Sequence, residues 1–193
     1  VYKMARIVGA LEALNDHLSD DPFLGKGSLV VSQIMSVSPS VNAVPDQCTI
    51  HLDRRLTAGE SRETAIDELE RAIRPIDPSA EILELTYPGV SYTGLQYPAP
   101  KLFPAWVLPE DHAVVTAAAE AYRRVFNQAP VISRWDFSTN GTILAGVYGI
   151  PTVGFGPGDE AYAHAPDERV RIDDLVAAAG FYAAFPHLSL IHI

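Results

Sequence analysis

Apolar residues recur at two different spacings in the first half of the chain. Helical spacing, with an apolar residue every three or four positions, occurs twice, and strand-like patterns occur three times. The sequence Thr57-Ala58-Gly59-Glu60 has the pattern of a capping box and is expected to begin the second helix. The predicted elements, in chain order, are a helix at 2–17, strands at 28–37 and about 47–55, a helix that stops near Pro75, and a strand at 80–87.

The order of these elements, α-β-β-α-β, is that of a split βαβ (ferredoxin-like) unit whose first strand is missing. A helix with an apolar face needs a sheet or another helix to cover that face. We therefore expect a further strand upstream in the parent protein, and a chain that is truncated at its N-terminus.

The second half of the chain follows a segment that breaks the pattern. Residues 88–110 are rich in proline and show no clear periodicity, which indicates a linker or an irregular crossing between domains. Beyond it, the predicted elements are a helix at 111–127, a short strand at 131–133, a short helix at 139–148, a buried strand at 151–155 and a closing helix at 173–185. This alternation favours an α/β layer. The fold class is thus predicted as α/β, with separate domains at 1–87 and 111–187.

Composition and charge narrow the function classes. The 193-residue chain carries a formal net charge of −10, which argues against a nucleic-acid partner because phosphates would be repelled. Its apolar runs are too short to span a membrane, so no membrane partner is expected. The single cysteine, Cys48, excludes an internal disulfide and is compatible with a reducing cytoplasm, which is the compartment we expect.

The segment with the clearest chemistry follows the predicted strand at 151–155. A glycine-rich turn, Gly154–Gly158, leads into a loop where His164 lies among acidic residues. Functional sites of α/β sheets collect at the carboxyl ends of strands, and an imidazole there can bind a metal through one nitrogen while a carboxylate orients the other. The residues themselves leave open a surface or capping role for this histidine.

Several separated motifs resemble the M20 family of metallopeptidases and deacylases. The stretch 149–168 is similar to the C-terminal signature of that family, and the resemblance implies that His164 is a ligand of a two-metal centre. The turn at 138–141 resembles the Gly-Gly-Thr-Asp turn on the substrate side of the family's site. It implies substrate contacts for Thr139 and for Asn140, which stands in place of the usual aspartate.

The first half of the chain carries a further part of the resemblance. Residues 42–46, followed by Asp53-Arg54-Arg55, resemble the family's lid (dimerisation) domain, and the spacing of Asn42 and Arg55 resembles its substrate-binding pair. A guanidinium group suits a substrate carboxylate, whereas a turn-forming role for Asn42 and a surface salt bridge for Arg55 are the alternatives. His51-Leu52-Asp53 mimics the family's His-x-Asp metal motif, but its place in an alternating strand favours a structural role.

The resemblance implies an enzyme built from a ferredoxin-like α+β lid, here without its first strand, and the C-terminal part of an α/β metallohydrolase catalytic domain. The implied cofactor is a pair of divalent metal ions, zinc in most members, with cobalt or manganese as alternatives. The implied substrate is a small N-acyl amino acid or short peptide, and the implied partner is a second copy bound through the lid. Residues 135–141 look closest to a branch of hydrolases linked to selenium metabolism.

The family's general base and bridging aspartate precede its lid, so no catalytic residue is expected within this chain, and the chain as given is predicted to be inactive. A non-catalytic dimerisation or assembly module is the alternative function. The last six residues, 188–193, fit poorly with the alanine-rich helix before them and resemble the translated end of a transposon used for sequencing libraries. They are expected to be non-native.

Overall fold

The computed structural model describes residues 1–189, and the chain divides into two compact units, Val1–Trp106 and Val107–Ile193. The first unit combines helices with three two-stranded antiparallel sheets, whereas the second is helical over its described part. The mixed α/β fold class is confirmed. No helix within the described range is long and apolar enough to cross a membrane.

Two helices of the first unit pack on one face of a long antiparallel hairpin. The elements of this unit are α1 (Tyr2–Asn15), β1 (Asp20–Asp21), β2 (Gly25–Lys26), β3 (Ser28–Val37), β4 (Gln47–Arg55), α2 (Arg62–Ile73), β5 (Thr86–Tyr87) and β6 (Ala99–Pro100). The two helices and the hairpin strands β3 and β4 lie where the apolar pattern predicts them. Their core is formed by the buried side chains Ile7, Leu11, Leu18, Leu29, Leu69 and Ile73.

The hairpin β3–β4 has one face toward the helices and one open face. In β4 the side chains of Ile50 and Leu52 pack against the helical core. Since side chains alternate between the two faces of a strand, His51, Asp53 and Arg55 point to the open face. The hairpin thus presents a row of polar side chains on the face opposite to α1 and α2.

A β-bulge interrupts the register of this hairpin. The pairing of Val31 with Leu52 is followed directly by the pairing of Gln33 with His51, so that Ser32 is the extra residue of β3. The Ser32 Oγ lies 2.6 Å from the His51 Nδ1. The bulge therefore ties the two strands together through side chains at the point where the backbone ladder is irregular.

Helix α2 begins later than the capping-box pattern predicts. Its N-cap is Ser61, whose Oγ accepts a hydrogen bond from the Thr64 N–H, while the Thr64 hydroxyl accepts one from the Ser61 N–H at 2.8 Å. The box predicted at 57–60 is wrong as the start of the helix, although one of its two hydrogen bonds forms. The Glu60 carboxylate accepts from the Thr57 N–H at 2.8 Å, but the Thr57 hydroxyl donates to the Gly25 carbonyl, at 2.6 Å, and the Glu60 N–H donates to the Thr57 carbonyl. The Glu60 carboxylate also accepts from the Arg54 guanidinium.

The strand predicted at 80–87 forms at its end alone. Thr86 and Tyr87 make up the short strand β5, which pairs with β6 and not with the long hairpin. Ala80 and Ile82 nevertheless pack against the helical core. The apolar alternation therefore reports the partial burial of these side chains and not a backbone partner, and the split βαβ topology stays a prediction.

The second unit is held together by helix packing and by an aromatic cluster. Its elements are α3 (Ala113–Phe126), a π-helix (Thr142–Val147), a 3-10 helix (Glu160–Tyr162) and α4 (Ile172–Ser189). The Phe155 ring stacks on Phe181 of α4, with 3.9 Å between ring centroids, and lies 6.1 Å from both Tyr122 and Phe126 of α3. These aromatic contacts connect the glycine-rich segment to both long helices.

Two predicted strands of the second unit, at 131–133 and 151–155, are wrong. Neither segment is in a strand, because no other strand of the described second unit is available to pair with it. The apolar character of 151–155 is explained by the aromatic packing of Phe155. Of the predicted non-native tail, Leu188 and Ser189 belong to α4, and residues 190–193 lie outside the described residues.

Candidate functional site

His164 lies on an irregular loop that side-chain contacts hold on either side of the histidine. Before it, the Asp159 carboxylate caps the 3-10 helix by accepting a hydrogen bond from the Ala161 N–H at 2.9 Å. After it, the Arg169 guanidinium is paired with Asp167 at 2.8 Å. The His164 side chain is exposed, and its backbone has a φ of 61°, in the left-handed region that few residues other than glycine adopt. The loop thus holds an imidazole at the surface in an uncommon backbone conformation.

The segment that contains Trp135 and Phe137 contacts both this loop and the glycine-rich turn before it. The Phe137 ring meets the His164 ring edge to face, with 5.5 Å between centroids and an interplanar angle of 78°. Two residues earlier, Trp135 lies against Gly154 so closely that a Cβ at position 154 would come within 2.0 Å of the indole ring. Position 154 therefore requires glycine, because the Trp135 indole lies too close for any side chain. The contact of Phe137 with His164 places the segment that continues to Thr139 next to the histidine.

Thr139 and Asn140 form the turn that opens the π-helix. The Thr139 Oγ1 accepts a hydrogen bond from the Gly141 N–H at 3.1 Å, and the Asn140 carbonyl accepts from the N–H of Leu144 at 3.1 Å. The Thr139 hydroxyl therefore has a local structural role. The Asn140 side chain is exposed, so its amide is the more accessible of the two groups that the sequence predicts on the substrate side.

The described residues do not by themselves fit a two-metal centre. Within positions 1–189, no group of three or more histidine, cysteine, aspartate or glutamate side chains is arranged to hold a metal ion. A tetrahedral zinc site needs three or four such ligands. His164 can supply one nitrogen, and the nearby Asp167 is already paired with Arg169.

Arg55, at the end of β4, is the second candidate group. Its side chain is 62% exposed on the open face of the hairpin. The guanidinium donates hydrogen bonds to both carboxylate oxygens of Asp53, from Nε to Oδ1 at 2.9 Å and from Nη2 to Oδ2 at 3.2 Å. The surface salt bridge that the sequence leaves open for Arg55 is thus present, and its exposed position also leaves the group accessible to a ligand.

Arg54 has the opposite environment on the covered face. Its Nη2 lies 2.5 Å from the Glu60 carboxylate and 3.0 Å from that of Glu68, and the Arg54 and Glu60 side chains are 9% and 5% exposed. Its Nη1 donates to the backbone carbonyl of Arg55. The motifs of the sequence do not indicate this cluster, although strand alternation places position 54 on the same face as Leu52 and signals its burial.

Asn42 lies far from Arg55 along the hairpin. It is an exposed residue of the turn between β3 and β4, and the Ser38 hydroxyl holds this turn by donating to the carbonyl groups of Ser40 and Ala43. Arg55 is at the other end of β4, which has nine residues. At about 3.3 Å per residue, the two ends of such a strand are about 26 Å apart. One copy of the chain therefore does not bring Asn42 and Arg55 to the same small ligand.

Two family descriptions match the chain. The sequence model of peptidase family M20/M25/M40 matches residues 95–187, and that of the peptidase dimerisation domain matches residues 1–81. The two matches follow each other along the chain with little between them.

Individual relatives match nearly the whole of this chain. The chain is 46% identical over 187 residues to the uncharacterized protein YgeY of Escherichia coli, with 96% of this chain and 46% of that protein covered. It is 25% identical over 182 residues to the N-formyl-4-amino-5-aminomethyl-2-methylpyrimidine deformylase of Bacillus subtilis, with 91% and 42% covered. The chain thus spans less than half the length of the curated relatives it matches.

A solved structure supports the fold. The M20 family metallo-carboxypeptidase Sso-CP2 of Sulfolobus solfataricus aligns with a TM-score of 0.56 and 21% identity, over 94% of this chain and 42% of that one. At this level of identity the likeness concerns the fold alone.

Proposed function

The chain belongs to the M20 family of peptidases, and we propose that it forms the lid and part of the catalytic domain of a metal-dependent hydrolase. The reaction proposed is cleavage of an amide bond next to a carboxylate, as in an N-acyl amino acid or a short peptide. Support comes from the chain's similarity to a deformylase and from the fold that it shares with a metallo-carboxypeptidase.

The observation that carries the proposal is the setting of His164. A non-glycine residue in the left-handed region is uncommon, and such residues concentrate at functional sites because the surrounding structure holds them there. The aromatic contact with Phe137 and the close approach of Trp135 to Gly154 provide that support. A divalent metal in such an enzyme polarises the scissile carbonyl and activates water. The further ligands are proposed to come from the length that the relatives have beyond this chain.

Arg55 is proposed to bind the carboxylate of the substrate. It is exposed on the open face of the hairpin and presents a planar set of donors that matches a carboxylate. Because Asn42 lies at the far end of β4, its proposed substrate contact needs a second copy of the chain. A homodimer through the dimerisation domain is therefore part of the proposal.

The experiment that tests the proposal replaces His164 by alanine in the complete enzyme. The expected result is loss of one bound metal ion per protomer and of nearly all hydrolysis of N-acetyl amino acids, with the fold unchanged. His17→Ala is the matched control, because His17 is an exposed histidine of the other unit with no proposed ligand. Full metal occupancy and a normal rate in His164→Ala would show that His164 is a structural loop residue.

A second candidate function, a non-catalytic dimerisation module, is favoured by the match of residues 1–81 to the dimerisation domain. The two candidates differ in what the complete protein does with substrate. Stable dimers without metal binding or turnover would support the module, whereas turnover that depends on His164 supports the enzyme.

A further inference from the structure

The side chains of Asp53 and Arg55 form a fixed pair on the open face of the hairpin. They are two positions apart on β4, so both point away from the helices and lie about 7 Å apart along the strand. Both carboxylate oxygens of Asp53 accept hydrogen bonds from the same side of the guanidinium, the edge formed by Nε and Nη2. Such two-point contacts fix the plane of the guanidinium as well as its position.

A guanidinium group has two edges that suit a carboxylate. Asp53 uses the Nε–Nη2 edge, and the described contacts of Arg55 leave the edge formed by Nη1 and Nη2 open. Since the side chain is 62% exposed, a dissolved carboxylate can approach that second edge. The geometry therefore allows Asp53 and a ligand to bind the same guanidinium at the same time.

The neighbouring residue shows that one guanidinium of this chain can serve two carboxylates. Arg54 Nη2 lies within 2.5 Å of Glu60 and 3.0 Å of Glu68. The two carboxylates share this guanidinium in a largely buried setting, where repulsion between two acids is stronger than at an exposed site. A ligand carboxylate beside the exposed Asp53 meets less repulsion.

We propose that Asp53 is a positioning residue for Arg55, which holds the guanidinium through its Nε–Nη2 edge and directs the Nη1–Nη2 edge to the carboxylate of a ligand. This inference rests on the carboxylate-binding role proposed for Arg55. In the opposite arrangement, Asp53 would compete with the ligand for Arg55 and would have to be displaced before binding. The two arrangements predict opposite effects of removing the Asp53 carboxylate.

The test measures binding of a carboxylate probe to the chain by nuclear magnetic resonance of the arginine Nε–Hε groups. N-acetylglycine is the probe, and N-acetylglycinamide is its neutral counterpart. The Arg55 signal is assigned by its absence in Arg55→Lys. We expect Asp53→Ala to weaken N-acetylglycine binding about two- to fivefold, the range for loss of one exposed ion pair, and to increase the mobility of the Arg55 Nε. Asp53→Asn, which keeps one acceptor oxygen, should have a smaller effect.

Asp173→Ala is the matched control, because Asp173 also pairs with an arginine two positions away, Arg171, at 3.4 Å on the surface of the other unit. It should leave both probe binding and the Arg55 signal unchanged. Tighter or unchanged binding of N-acetylglycine in Asp53→Ala would overturn the positioning role. Equal binding of acid and amide by the unmodified chain would instead contradict the carboxylate role of Arg55 itself, so the two failures are distinguishable.

Discussion

The left-handed backbone of His164 places two different requirements on one residue. A φ of 61° favours glycine or asparagine, whereas the proposed metal contact needs an imidazole. Asn127, at the C-cap of α3, is the other non-glycine residue with positive φ among residues 1–189. There asparagine fits the common helix-ending conformation, but no such local explanation applies to His164.

We predict that His164→Gly is more stable than His164→Ala by about 1 kcal/mol, because alanine keeps the Cβ that disfavours the left-handed region. The measurement is urea unfolding of both variants, followed by circular dichroism. Asn127→Gly and Asn127→Ala form the matched control pair and should differ in the same direction. Equal stability of the two His164 variants would mean that the loop does not hold the left-handed conformation in solution.

A second residue-scale prediction concerns Asp77. Hydrogen bonds from the Ser79 hydroxyl, at 2.7 Å, and from the Lys3 ammonium, at 3.0 Å, lower the pKa of the Asp77 carboxyl to about 2. Since this pKa is lower in the folded than in the unfolded chain, the ionised carboxylate stabilises the fold above about pH 4. The contribution is lost as the pH falls through the folded pKa.

Asp77→Asn should therefore lower the urea midpoint at pH 6, and its effect should shrink progressively as the pH is lowered toward 2. Ser79→Ala removes the larger of the two causes and should show the same trend with a smaller amplitude. A difference between Asp77→Asn and the unmodified chain that does not change with pH would show that the carboxylate charge is not what stabilises this turn.

At the scale of elements, the two adjacent arginines of β4 are expected to have very different effects on stability. Arg54 is largely buried with two carboxylates, so Arg54→Ala leaves buried charges unpaired and should lower the free energy of unfolding by about 3 kcal/mol. Arg55→Ala removes an exposed pair and should cost less than about 1 kcal/mol. Urea unfolding of the two variants makes the comparison, and similar losses would contradict the assignment of Arg54 to the covered face.

Gly27→Ala should also weaken this end of the hairpin. A Cβ at position 27 would come within 2.7 Å of the Arg54 Nη1 and 2.9 Å of the Arg55 carbonyl oxygen. The backbone contact cannot be relieved by a side-chain rotation, so a loss of about 1–3 kcal/mol is expected. Gly9→Ala is the control, because nothing lies within 4 Å of a Cβ at that helical position. It should be neutral or stabilising, and an equally neutral Gly27→Ala would argue against the close packing.

The apolar pattern predicts a helix or strand well when the segments that it packs against or pairs with are close to it in sequence. The helices α1 and α2 and the hairpin strands are of this kind. At Thr57–Glu60 the capping-box pattern fails, since the Thr57 hydroxyl donates to the carbonyl of Gly25, a partner distant in sequence that the local pattern does not reveal. At 80–85 and 151–155 it identifies half-buried side chains, such as Ile82 and Phe155, but not strands, because strand formation depends on a neighbouring chain segment.

The candidate site shows the same limit. The position of His164 on the loop after a glycine-rich turn could be predicted from its motif, but its contact with Phe137 joins residues far apart in sequence. The distance between Asn42 and Arg55 follows from the strand that separates them. The role of Asp53 is visible only once the two carboxylate contacts are seen.

At the scale of the whole molecule, we expect the chain to associate into dimers. Its first unit matches a dimerisation domain, and each strand of the hairpin β3–β4 has an outer edge that is not paired among the described residues. Sedimentation at micromolar concentration should show a dimer. If the open face remains free for Arg55 to bind ligand, Met35→Lys on that face should leave the dimer intact. Dissociation by Met35→Lys would place the interface on the open face and contradict the accessibility of Arg55.

The bulge at Ser32 divides β3 into two halves of opposite parity. Before it, the odd positions Leu29 and Val31 contact the helices, whereas beyond it Ile34 pairs with Ile50 on the covered face. In any related sequence that lacks the extra residue, an ungapped alignment across this strand would exchange inside and outside for every following position. A gap placed at Ser32 keeps the two faces in phase. The presence or absence of the bulge therefore determines how the β3 strands of related domains must be aligned. Only with that alignment can a substitution along β3 be assigned to the covered or the open face.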